Sequence, residues 1–302
     1  MRPLQKILCP VDTSVFSARA LSYAKALAGW YGASIAVLYV RPVIVPPALW
    51  FGAPAVLPPE PEDGLTERHL ESFVRDAIGA APVTLAIRDG AVVHEILQTA
   101  AELPADLIVM GTHGHSGFER LLLGSVTEKT LRKAQVPVLT VPERGAERRP
   151  DPPGFETILC GMDRSATARR ALDAALSLAD ASGARVVILH AVEGWSDEDP
   201  RFPRGATDPA ALRHMVPAVR AEYEALVPEE RRRRARLDVR VPQGRAYREL
   251  LSAAAELRAD LIVLGAGGSA MPFGTTTQHV LRQADCPVLI VPAAPAAARD
   301  AR

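Results

Sequence analysis

Lysine is the first scarcity in this chain of 302 residues: Lys6, Lys25, Lys129 and Lys133 are its only lysines, among 35 basic side chains. None of them follows a glycine ahead of serine or threonine, which excludes the lysine-bearing phosphate loop of the Walker type. Net charge is missing too. The 35 basic residues face 35 acidic ones, so nothing global draws the chain to nucleic acid or to an anionic membrane. No apolar run approaches the roughly 18 residues of a membrane-spanning helix. The start, Met1-Arg2-Pro3-Leu4-Gln5-Lys6, leads straight into a strand-like run rather than the apolar core of a signal peptide. Cysteine is limited to Cys9, Cys160 and Cys286, which form no disulfide framework. Buried, reduced thiols in a cytoplasmic protein are expected.

What the chain does have is a repeat of itself. Ile7-Leu8-Cys9-Pro10-Val11-Asp12 recurs as Ile158-Leu159-Cys160-Gly161-Met162-Asp163, 151 residues on. Ala105 to Gly111 recurs as Ala259 to Gly265 after 154 residues, and Pro137 to Pro142 as Pro287 to Pro292 after 150. The spacing therefore lengthens once and then shortens, and the shortening falls between the second and third of these blocks. Two domains of about 145 residues fit the usual domain size. Their expected bounds are 1–143 and 155–292, with a charged, proline-rich linker at 144–154 and an Ala/Arg-rich tail at 293–302.

Periodicity gives the coarse elements. Strands are expected near 5–11, 34–40, 82–87, 106–110 and 137–141, and helices near 17–31, 65–79, 91–102 and 124–134. The second repeat follows suit, with strands near 156–162, 185–192, 236–241, 260–264 and 287–291. Short apolar strands alternating with helices predict an α/β fold, with one doubly wound, five-stranded parallel sheet per repeat. Ligands of such sheets sit outside the carboxyl ends of the strands, where Asp12, Val40 and Gly111 fall.

The segment that carries most chemical information is Gly111-Thr112-His113-Gly114, with Gly124-Ser125 after nine intervening residues. It lies between the strand-like Asp106-Leu107-Ile108-Val109-Met110 and the helix-like Val126 to Ala134. A strand, a glycine-marked loop and a helix start together present backbone N–H groups and a positive helix end to phosphate. Ser125 could hold phosphate or simply cap the helix, and Thr127 is a weaker candidate one turn further on. His113 and His115 are two histidines without a third ligand at metal spacing, so no metal site is expected. Arg120 is the only cation between Gly111 and Gly124. Charge neutralisation there falls to Arg120, to backbone N–H groups and to a divalent ion such as magnesium.

The spacing Gly-x2-Gly-x9-Gly-Ser resembles the ATP-binding fingerprint of the universal stress protein family, and the resemblance runs over roughly 4–142 and 155–292. It implies an adenine nucleotide alpha hydrolase-like fold and an ATP site formed by Pro10-Val11-Asp12-Thr13, Val40, Met110-Gly111, His113-Gly114, Arg120 and Gly124-Ser125-Val126-Thr127. In that family the aspartate matching Asp12 lies against adenosine, and the backbone at Val40 meets the adenine edge. Helix capping alone would also account for Asp12. His115 stands where many members carry arginine. Members pair through their last strand, so Pro137 to Pro142 and Pro287 to Pro292 are expected to pair within the chain as a pseudo-dimer, with further dimerisation between chains left open. The resemblance also implies a stress-response regulator with at most feeble ATPase activity. No catalytic motif contradicts that. An ATP-independent tandem scaffold and a slow ATPase stand as alternatives.

Three segments keep two readings. Gly265-Ala266-Gly267-Gly268 begins like the first loop, but Gly274-Thr275 follows after five residues rather than nine. The second half has either lost nucleotide binding or holds AMP or ADP in a shorter loop; Asp163 is kept, and Val192 ends its strand as Val40 does. The proline-rich stretch from Arg41 to Gly64, with Trp50-Phe51, is either a lid over the nucleotide or a packed connector. Arg231 to Arg234 is read as a solvated loop before a strand, against a docking patch for an acidic partner or nucleic acid.

Overall fold

The structure, a computed structural model, describes residues 4–42, 64–112, 123–142, 154–192, 209–266 and 274–294. Its first strand, β1 (Lys6–Val11), is buried at every position after Lys6, as a strand covered on both faces must be. Ser14 then caps α1 (Val15–Tyr31) by accepting from the Ser17 N–H, and Gly32 ends it in the left-handed region at φ 66°. The chain continues through β2 (Ser34–Pro42), α2 (Leu65–Ile78), β3 (Val83–Gly90), α3 (Val92–Glu102), β4 (Leu107–Gly111), α4 (Ser125–Lys133) and β5 (Val138–Val141).

The second half repeats the course. It runs β6 (Thr157–Gly161), α5 (Ala166–Ser182), β7 (Arg185–Leu189), α6 (Pro209–Ala225), α7 (Glu229–Arg234), β8 (Asp238–Arg240), α8 (Ala246–Leu257), β9 (Leu261–Ala266), α9 (Thr275–Gln283) and β10 (Val288–Pro292). Even the caps repeat: Ser165 accepts from the Ala168 N–H at the start of α5, and Gly183 closes it at φ 75°. Asp106 and Asp260 fasten the two halves alike. Each carboxylate accepts from two backbone N–H groups at the first strand of its half, those of Gln5 and Lys6 at 2.8 and 3.0 Å and those of Glu156 and Thr157 at 2.9 and 3.0 Å.

The strands form one ten-stranded sheet in the order β3-β2-β1-β4-β5-β10-β9-β6-β7-β8. Each half is parallel within itself. The halves meet where β5 and β10 pair antiparallel, with Leu139 opposite Leu289. This is the intrachain pairing expected from the sequence. Helices α1, α2, α5 and α6 cover one face, around Leu21, Leu27, Val37, Leu172 and Tyr223. Helices α3, α4, α8 and α9 cover the other, around Leu8, Ile96, Leu131 and Val280. Each such side chain contributes about 1.5–3 kcal/mol through burial. At the junction Phe155 is stacked on Tyr23 and set edge-on to Trp30, with centroids 6.2 and 5.2 Å apart. The Tyr31 hydroxyl donates to the Ser177 carbonyl at 2.8 Å.

Several details depart from the sequence reading. β2 and β3 pair as far as Pro42 and Gly90, beyond the expected ends. β7 stops at Leu189, and Val192 makes only an isolated bridge to Gln243. The arginine run is a helix, not a loop. Arg233 and Arg234 meet Glu229 and Glu230 one turn back, while Arg231 reaches Asp180 and Arg232 reaches Glu224. Every arginine of the run thus has an acidic neighbour, which speaks against a docking patch. Cys9, Cys160 and Cys286 are buried as expected, and burial pushes the Cys9 and Cys160 thiols far above their usual range. Among the described residues no helix is long and apolar enough to cross a membrane.

Gly265 shows how closely helix and sheet approach. A β-carbon there would stand 2.5 Å from the Thr167 carbonyl carbon and 2.7 Å from the Ala168 nitrogen, both backbone atoms of α5. Gly265→Ala is expected to cost about 2–3 kcal/mol in chemical denaturation, as forced overpacking does. Gly29→Ala, on an exposed helical position with nothing within 4 Å, should gain about 0.5–1 kcal/mol. Equal effects of the two would show that the close approach is absent.

Candidate functional site

The sheet order reverses between β1 and β4, because α1 carries the chain to β2 on one side and α3 returns it to β4 on the other. A crevice at the carboxyl ends of the strands belongs at such a switch point. The β1–β4 register covers Ile7↔Leu107 and Leu8↔Ile108, yet both strands run on. In the second half the β6–β9 register extends one pair further, to Cys160↔Val263. Pro10 explains the difference. The Asp106 N–H donates to the Lys6 carbonyl at 2.9 Å, so alternate residues of β1, Lys6, Leu8 and Pro10, face β4. At that position Gly161 of the second half has an N–H to give and Pro10 has none. The first half thus lacks one rung of the ladder at the switch point.

Val11 and Asp12 follow on its rim. Asp12 Oδ1 accepts from the Ser14 N–H at 3.1 Å and from the Ser14 hydroxyl at 2.6 Å, and the Asp12 N–H donates to Ser17 Oγ at 3.4 Å. Thr13, between them, takes φ 63°, an uncommon left-handed conformation that these bonds hold in place. Asp12 therefore orders the start of α1, in agreement with the capping alternative. Asp163 repeats this by accepting from the Ser165 N–H at 2.8 Å.

Val40 is buried in β2. The Ser34 N–H donates to the Gln5 carbonyl at 2.9 Å, and backbone groups alternate sides along a strand, so Val40 directs its own toward β1. The β1–β2 register ends at Val11↔Tyr39, which leaves the Val40 carbonyl beyond the last pair, over the crevice. In the second half Ala191 holds this place, not Val192. The Val192 N–H donates to the Pro242 carbonyl at 2.8 Å, away from β6. A one-residue slip reverses every backbone direction, and the sequence match of Val192 to Val40 is corrected on that ground.

Met110 and Gly111 end β4, buried. The base of the following loop is pinned: the Thr112 N–H donates to the Val141 carbonyl at 3.1 Å, and the Gly124 N–H to the Thr112 carbonyl at 2.8 Å. Thr127 adds a third tie, its buried hydroxyl donating to the Gly111 carbonyl at 2.9 Å. Gly124 is the N-cap of α4, with no side-chain cap. Ser125 is thus the first helical residue, exposed, and its hydroxyl is not the cap. The opening N–H groups of α4, those of Ser125 and Val126 among them, lack intrahelical acceptors. His113, Gly114 and Arg120, like His115, Trp50 and Phe51, lie outside the described residues.

Two features escaped the sequence reading. Gly90 and Gly244 take φ 152° and 151°, and a β-carbon on either would run into Glu95 or Glu249. The pairing Gly-x4-Glu, repeated 154 residues apart, was the available signal. In the second half His190 Nδ1 lies 2.9 Å from both the Met162 carbonyl and the Tyr223 hydroxyl, and Arg164 reaches Glu222 at 3.1 Å. Together they draw α6 onto the carboxyl ends of β6 and β7.

The architecture is that of a tandem α/β protein with two homologous halves. A model of the universal stress protein family matches residues 3–142 and again 154–292. A universal stress protein of Thermus aquaticus is 38% identical over 147 residues, covering 45% of this chain and 98% of that protein. One from Mycolicibacterium smegmatis is 27% identical over 300 residues, 94% of this chain and 96% of that one. The crystal structure of a universal stress protein from Archaeoglobus fulgidus matches 95% of this chain and 98% of its own with a TM-score of 0.65 at 24% identity, a likeness of fold. The chain belongs to the universal stress protein family.

Asp12→Ala removes both bonds to Ser14 and should cost about 1 kcal/mol in urea denaturation. Asp12→Asn keeps the accepting Oδ1 and should stay within about 0.5 kcal/mol of the native chain. A full loss with asparagine would mean that the negative charge, not the acceptor, holds the loop.

Proposed function

We propose that the first half binds ATP in the crevice between the carboxyl ends of β1 and β4, and that the chain acts as a nucleotide-dependent stress-response regulator rather than a fast enzyme. One observation supports the reading: the start of α4, which has no side-chain cap, is tied to the end of β4 beside the β1–β4 switch point, at the closing end of a glycine-marked loop. Its free backbone donors suit phosphate oxygens, and the Val40 carbonyl suits an exocyclic amine at the other end. Asp12, flanked by Val11 and Thr13, would stand between them, toward the ribose. His113, Gly114 and Arg120 would come from the loop. Thr127 would act through Gly111, since its hydroxyl is already committed there.

No group of three or more His, Cys, Asp or Glu that could hold a metal exists among the described residues. Magnesium would accordingly arrive on the nucleotide's own phosphates. Hydrolysis would be slow, because Asp12, at the end of β1, already accepts from the Ser14 N–H and hydroxyl. The division proposed is into units 1–143 and 155–292, joined by 144–154 and followed by a tail. Buried thiols support a reducing, cytoplasmic setting.

Ser125→Pro tests the site without disturbing the fold. Proline suits the first helical position and removes only the N–H and hydroxyl in question. Stability should hold within about 1 kcal/mol, while ATP affinity falls by about tenfold or more in calorimetry. Unchanged affinity would refute the site at α4. No ATP binding by the native chain at millimolar concentration would leave the ATP-independent scaffold.

A further inference from the structure

At the other end of the second half, where its strands begin, lies an open cavity of about 1070 Å³. Three arginines line it: Arg185 at the start of β7, Arg236 just ahead of β8 and Arg258 at the end of α8. Arg185 Nε donates to Thr157 Oγ1 at 2.9 Å, and Arg236 Nη2 donates to the Gly183 carbonyl at 2.7 Å. The β7–β8 register, Val187↔Asp238, runs back toward both residues, and the Val186 N–H donates to the Ala235 carbonyl at 2.9 Å. Arg185 and Arg236 therefore stand side by side. None of the three arginines makes an ion pair with a described residue. The matching residues of the first half are Ser34, Pro82 and Pro104, so the cluster belongs to the second half alone.

The backbone is strained to place two of them. Arg236 and Arg258 stand at φ 44° and 50°, in the left-handed region where glycine or asparagine rests more easily. Among the described residues the only other non-glycine with positive φ is Thr13, beside the candidate nucleotide crevice. Strain of this kind gathers at ligand sites. The C-terminal ends of α5, α8 and α9 come to this cavity and favour cations. Yet Arg236 commits only one donor to such an end, which leaves most of its fork open. The carboxylates of the cavity do not neutralise the cluster. Asp260 accepts from the Glu156 and Thr157 N–H groups, and neither Glu156 nor Asp285 pairs with any of the three guanidiniums. Phe155, with Leu251, Ala254 and Leu257 of α8, gives the same cavity an apolar wall.

We propose that Arg185 and Arg236, assisted by Arg258, form an anion site that takes a phosphate monoester carried on an apolar or aromatic body. Two adjacent guanidinium forks match the several oxygens and double charge of a monoester better than a single carboxylate. The cavity is far larger than a free phosphate, and the body would lie against Phe155 and α8. This site does not depend on the ATP reading of the first half.

The full chain, titrated with phenyl phosphate and separately with inorganic phosphate, tests this by calorimetry above the second phosphate pKa of about 6. Phenyl phosphate should bind about tenfold more tightly than inorganic phosphate, because its ring covers the apolar wall. Arg185→Gln with Arg236→Asn should weaken phenyl phosphate binding by about tenfold or more. Asparagine suits the left-handed backbone at 236, so the variant should melt near the native temperature. A second measurement needs no variant: phenyl phosphate should shield Arg185, Arg236 and Arg258 of the native chain from phenylglyoxal, as mapped by mass spectrometry. The proposal falls if phenyl phosphate fails to bind at millimolar concentration, or if the double variant binds it as the native chain does. It falls equally if inorganic phosphate binds as tightly as the ester, or if the three arginines react at the same rate with and without it.

Discussion

The antiparallel pairing of β5 with β10 is the contact on which the rest of this molecule depends. Each is a short, buried, apolar strand that would otherwise end its sheet with a row of unpaired N–H and C=O groups. Joined, they leave neither half with an inner edge. Phe155 between Tyr23 and Trp30, and the bond from Tyr31 to Ser177, lock the helices above the seam. Thr140, buried in β5, donates its hydroxyl to the Val288 carbonyl at 3.2 Å, so even the polar group at the seam is satisfied. A duplicated domain thus carries its own partner on the same chain.

Duplication freed the halves to diverge at their ligand ends while their cores stayed alike. The serine caps, the aspartates that fasten the first strand and the Gly-x4-Glu turns are kept in both. What changed at the carboxyl ends is Pro10 against Gly161, nine loop residues against five, Val93 and Lys129 against Tyr247 and His279.

The fold was largely legible because buried parallel strands write themselves as apolar runs, and a repeat shows each run twice. Where the reading slipped, the deciding physics was directional or energetic rather than compositional. Val192 looked like Val40 until the backbone direction told them apart, a distinction that one residue of register inverts. Arg231 to Arg234 looked like a loop because a charge run has no apolar face. Glu229 and Glu230 supply the one-turn pairs, and Asp180 and Glu224 the anchors, and only the latter require the fold. Gly265 read as a phosphate-loop glycine, whereas the backbone of α5 already requires a glycine there. Of the candidate site, the strand ends and the start of α4 were visible in advance. The missing rung at Pro10 was not, since its meaning rests on which neighbour the absent N–H would have faced.

The seam also fixes a direction. Strands of one half run opposite to those of the other, so the two carboxyl ends open toward opposite sides of one continuous sheet. The start of α4 and the start of α9 therefore face away from each other across the length of the strands. Among the described residues the halves communicate through the β5–β10 rungs and the side chains packed above them, so the middle of the sheet is where one ligand end can feel the other.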